Sequence, residues 1–180
     1  MKYIALLRGI NVSGKNKISM NELKTELQKY KYQNISTYLN SGNIIFESDI
    51  NHKESIMQDI YKIIKNKFNL DIPVFIMTSS DLEDILNNTP EWWGTDNKEI
   101  YDNLIFIIPP ATYNDVYSAL GNPNEYEKIQ VYQNNIFWSY RLKDYRKTNW
   151  WSKTASVDIR HSITIRSANT MKKILEICHR

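Results

Sequence analysis

Cysteine is almost missing from this chain of 180 residues. The one present, Cys178, permits no intramolecular disulfide and no cysteine-rich zinc site. That usage suits a reducing compartment, and a cytoplasmic location is expected. Histidine is scarce too: His52, His161 and His179 lie far apart, without metal-ligand spacing, so no metal site is expected. Long apolar runs are also lacking. The N-terminal run Ile4 to Leu7 is too short for a signal peptide, and no run approaches a membrane span. No G-x-S-x-G elbow occurs, no low-complexity tract interrupts the chain, and no cofactor is called for.

What is present is an apolar fraction of 42% and an aromatic fraction of 12%, including 12 Tyr and 5 Trp. That is enough to bury a real core. The net charge of +3 is unevenly spread. Residues 1–48 carry +4, residues 49–140 carry −8, and residues 141–180 carry +7. Two basic ends around an acidic middle favour a phosphate-bearing ligand, a nucleotide or a nucleic acid, if the ends meet.

Periodicity predicts the elements. "KYIALL" is a buried strand, and Ser19 with Glu22 caps a helix carrying Leu23 and Leu27 on one face. Two β-rich runs flank Asn40-Ser41-Gly42 and form a hairpin. A helix follows with Ile56, Ile60, Ile63, Ile64 and Phe68 on one stripe, its start capped by Asn51 with Glu54, and "DIPVFIMT" is a strand. The order β-α-β-β-α-β is that of a ferredoxin-like domain. Residues 103–180 repeat it approximately, with a hairpin around Asn134-Asn135 and a closing helix. The expected architecture is α+β: two tandem ferredoxin-like subdomains over residues 1–78 and 103–180, joined by a connecting helix and linker over 79–102.

Gly9 and Gly14-Lys15 fall at the G-x-x-x-x-G-K spacing of a phosphate-cradling loop. Asn16 stands where Ser or Thr would ligate magnesium, and the helix begins several residues late, near Ser19. The stretch therefore predicts an anion- or amide-binding loop rather than an NTPase site. Candidate ligand-binding residues are Arg8, Gly9, Asn11, Gly14, Lys15, Asn16, Ser41, Gly42, Asn43 and Arg166. The glycines would allow close backbone approach, and the cations and amides would hold the ligand. No catalytic residue is assigned. An enzyme acting on a small anionic metabolite, or a protein-interaction module, including a homodimer, remain the alternatives; a membrane partner is not expected.

The acid pairs Glu83/Asp84 and Glu125/Glu127 read as solvated, and Cys178 as core packing. Trp150-Trp151 among Arg146, Lys147 and Lys153 reads either as core or as a stacking surface. Phe106, Trp138 and Tyr140 are candidates for exposed aromatics on central strands.

Three stretches carry a resemblance: "ALLRGINVSGKNKISMNEL", "STYLNSGNIIF" and "TIRSANTMKKIL". Together they are similar to the signature of a bacterial family, domain of unknown function 1697. Ser13 stands where that family usually has Gly, and Ser19 where Pro is common. Ser167 and Ala168 replace an Asn and an aromatic. The resemblance implies a pair of ferredoxin-like α+β subdomains and no particular activity.

Overall fold

The computed structural model describes residues 1–156 and 158–180. The chain forms two compact units, Met1–Glu83 with Ile174–Arg180, and Asp84–Lys173. The fold is mixed α+β, with one four-stranded antiparallel sheet in each unit.

In the first unit the order is β1 (Lys2–Leu7), α1 (Met20–Leu27), β2 (Gln33–Tyr38), β3 (Asn43–Glu47), α2 (Lys53–Phe68) and β4 (Val74–Thr78). The sheet order is β2-β3-β1-β4. β1 is central, and Tyr3 through Leu7 are all buried. A central strand with both faces covered reads as an unbroken apolar run, not an alternation. α1 and α2 bury the predicted stripes, Leu23 with Leu27 and Ile56, Ile60, Ile63 and Ile64, against Ala5, Ile44 and Val74 of the same core. Ser19 caps α1 as expected, its Oγ accepting from the Glu22 amide at 3.3 Å.

The expected cap of α2 is corrected. His52, not Asn51, occupies the N-cap, and no side chain bonds there. Asn51 sits one residue too early for its oxygen to reach the first-turn amides. α3 (Ser79–Asn87) follows β4 directly, and Asp81 stands in its first turn. Its carboxylate accepts from the Thr78 amide at 2.7 Å and from Lys53 Nζ at 2.6 Å.

The second unit holds β5 (Ile100–Ile107), α4 (Tyr113–Leu120), β6 (Glu127–Tyr132), β7 (Asn135–Arg141), a 3₁₀ turn (Leu142–Lys147), α5 (Trp150–Lys153) and β8 (Ile163–Ser167). The sheet order is β6-β7-β5-β8. α6 (Ala168–Cys178) closes the chain. Thr112 and Asp115 form a reciprocal capping box on α4.

The β6–β7 turn is Gln133-Asn134, with Gln133 at φ 51°, and Asn135 is already paired with Tyr132. The expected turn at Asn134-Asn135 is one residue late, because two adjacent asparagines hide which of them bends. Phe106, Trp138 and Tyr140 are buried, so these three rings form no exposed stacking platform. Trp138 packs with Trp150 in the second core, and each indole N–H is satisfied, by Glu127 Oε2 and by the Gly121 carbonyl, both at 2.9 Å.

Candidate functional site

The loop from Arg8 to Ser19 is folded on itself. Gly9, Asn11, Ser13, Gly14 and Asn16 all adopt the left-handed conformation, φ 47° to 76°. Val12 and Lys15 close a tight turn, the Lys15 amide donating to the Val12 carbonyl at 2.9 Å. Asparagine and glycine tolerate left-handed backbone best, which is why this sequence can fold so tightly.

Asn11 is the brace. Its Nδ2 donates to the carbonyls of Ile18 at 2.9 Å and Asn40 at 2.8 Å, and its Oδ1 accepts from the Ile18 amide at 2.9 Å. Asn16 Nδ2 donates to the Gly9 carbonyl at 2.9 Å. The β1–α1 loop is thereby tied to the β2–β3 turn. The Leu7 amide adds a 2.8 Å bond to the Gly42 carbonyl. Within that turn Asn43, fully buried, donates from Nδ2 to the Tyr38 carbonyl at 2.8 Å and to Ser41 Oγ at 3.1 Å. At Gly42, φ is +80° and a Cβ would stand 2.6 Å from Leu7 Cβ, so the β2–β3 turn meets the end of β1 at a distance only glycine allows.

Between the loops lies a cleft of about 530 Å³, lined by Asn11, Gly14, Lys17, Ser19, Asn21 and Asn40 together with Ile18 and Met20. Its wall contains amides, a hydroxyl, a cation and the first residues of α1, and no carboxylate, histidine or cysteine. Lys15 and Lys17 are exposed and make no side-chain hydrogen bond or ion pair among the described residues. Arg8 is half-buried, and that burial pulls its pKa below the ordinary guanidinium value.

Nine of the ten sequence-predicted positions therefore fall in two adjoining loops of the first unit. Arg166 belongs to the second unit, on β8, where Nη1 donates to Thr164 Oγ1 at 3.0 Å and to the Ile165 carbonyl at 2.8 Å. Asn21 and Asn40 were missed as candidates. The signal for them was available: each is polar and lies in, or within two residues of, a stretch already singled out.

A family model described as "Protein of unknown function (DUF1697)" matches residues 1–137. The chain belongs to the DUF1697 family. Its backbone is similar to that of SP0830, a conserved bacterial protein from Streptococcus pneumoniae, with a TM-score of 0.84 and 29% identity over 98% of this chain and 97% of that one. No curated protein matches the chain by sequence. The 1–137 match takes in both loops of this DUF1697 chain, together with the cleft they enclose.

The same DUF1697 chain corrects one further expectation. Glu127 is no solvated acid. It is buried, and besides Trp138 it accepts from the Asn149 amide at 2.8 Å and the Asn124 amide at 3.3 Å. It staples the α4–β6 connection to the start of α5. Among the described residues no cluster of three or more His, Cys, Asp or Glu could hold a metal ion, and no helix is long and apolar enough to cross a membrane.

Proposed function

We propose that the two units are ferredoxin-like subdomains and that the first binds a phosphate-bearing small molecule in the cleft between the β1–α1 loop and the β2–β3 turn. Lys15 and Lys17 supply the charge, and the start of α1 with Ser19 and Asn21 supplies hydrogen-bond donors. Asn11, Asn16, Ser41 and Asn43 hold the loops in shape, and Gly9, Gly14 and Gly42 give the backbone its path. Arg8 adds a partly desolvated positive charge nearby; Arg166 lies outside this reading.

The observation that carries it is the pair of unengaged lysines beside a cleft with no acid in its wall. Helix N-termini with nearby cations favour anions. Two physical points support a binding role. The loop is braced by its own asparagines, so little ordering entropy would be lost on binding. A Cβ built at Gly14 would meet nothing within 4 Å, which leaves room for a ligand against the backbone.

The test is a thermal-shift and calorimetric series with ATP, a sugar phosphate and inorganic phosphate, on the native protein and on Lys15→Ala/Lys17→Ala. A bound ligand raises Tm in proportion to its occupancy. The double variant is expected to lose at least tenfold in affinity while keeping its unliganded Tm. Absence of any shift with all three anions, or a shift unaltered in the double variant, refutes the proposal.

A further inference from the structure

The surface of the second unit around the β7–β8 connection alternates rings and cations. Residues 141–153 hold five cations and one acid. Trp151 is 42% exposed although it sits beside a core tryptophan, and it meets Tyr145 edge-on at 4.9 Å and Tyr140 at 5.9 Å. Arg146 lies over the Tyr145 ring at 5.3 Å, and Lys147 over the Tyr126 ring at 5.1 Å. Tyr126 is itself exposed.

Beside this patch opens a cleft of about 570 Å³ whose walls include Trp92, Tyr126, Lys128, Tyr140 and Arg141. Arg141 and Lys128 are exposed and make no side-chain hydrogen bond or ion pair among the described residues. Three acids stand nearby. Glu127 is consumed by its internal bonds, Asp144 is paired with Lys147 at 2.8 Å, and Glu125 alone stands at the rim unengaged.

We propose that this surface binds single-stranded nucleic acid. One base enters the cleft between Trp92 and Tyr126, its neighbour stacks on Trp151 or Tyr145, and Arg141, Lys128 and Arg146 neutralise the phosphates. Three observations favour this partner. Rings with cations directly over or beside them match a strand that alternates flat bases with anions. The cleft is concave and within the usual volume range of small-ligand sites, where a membrane would meet a convex apolar surface. Leu142 is the one aliphatic residue of the 141–153 segment that is strongly exposed, too little for insertion into lipid. A duplex keeps its base faces stacked inside and offers them to no ring. This site is independent of the one proposed in the first unit.

The test is fluorescence anisotropy with short fluorescein-labelled oligouridine and oligothymidine. The comparisons are a duplex oligonucleotide, inorganic polyphosphate and phosphatidylserine vesicles, each at low and raised salt. Single strands are expected to bind, more weakly as salt rises. Trp151→Ala and Tyr126→Ala should each weaken binding about tenfold, within the range for removing one stacking ring. Trp151→Phe should restore most of it, and Arg141→Ala should lower the salt slope by about one. All three side chains are exposed, and unchanged circular dichroism would confirm the fold. Lys15→Ala/Lys17→Ala should leave this binding intact, which separates it from the cleft in the first unit. The proposal is overturned if single strands fail to bind or if Trp151→Ala binds like the native protein. It is also overturned if polyphosphate or duplex binds as well as single strands, or if vesicles alone bind.

Discussion

Single residues in the first unit's loops carry unusual demands. At Gly42 an alanine would be strained by φ +80° and would press its Cβ to 2.6 Å from Leu7 Cβ. Gly42→Ala is expected to cost about 2–4 kcal/mol in urea denaturation, the left-handed penalty plus overpacking. Gly14→Ala, with open space above it, should cost only the conformational part, about 1 kcal/mol. Ser13 sits at φ 48°, a conformation glycine adopts without penalty, so Ser13→Gly is expected to stabilise by about 0.5 kcal/mol in the same assay. The importance of these loops was legible from residue type, since Gly, Asn and Ser cluster there. The division of labour was not. Whether an asparagine's amide faces a ligand or its own backbone depends on where the chain turns next, and Asn11 and Asn16 turn inward.

At the level of elements the strands and helices followed the apolar spacing, because burial on one face leaves period 3.6 in α1, α2 and α6. What escaped were features set by one residue of register: the α2 cap at His52 and the turn at Gln133-Asn134. Glu127 escaped for another reason. A glutamate between exposed neighbours reads as solvated until a tryptophan from another strand arrives to donate to it. Asp81, at the start of α3, makes an element-level prediction. Partial burial works against its charge, but bonds from Lys53 and Thr78 outweigh that and hold its pKa below the ordinary carboxylate value. The native state therefore binds this proton less readily than the unfolded chain. The resulting stability is present above the ordinary value of 3.8 and is lost as pH falls through the lower native one. The stability gap between native protein and Asp81→Asn, measured by denaturation along a pH series, is expected to be largest near neutrality and to close below about pH 4.

Across the whole molecule, composition and element order pointed correctly to an α+β fold with two four-stranded antiparallel sheets. They gave no hint that the chain would be shared as it is. The first unit takes in Ile174–Arg180, far from its other residues in sequence. Ile174 and Cys178 are buried, and the Cys178 carbonyl accepts from Lys2 Nζ. A variant ending at Lys173 is expected to lose about 3 kcal/mol or more, the burial of two apolar side chains. Hydrogen exchange should show faster opening at β1. The same arrangement governs birth order. Domains usually fold from the N-terminus as they leave the ribosome. Here the earlier-made unit also needs residues 174–180, which are made after the whole of the second unit, so its completion waits on that segment, while the unit encoded between can close first.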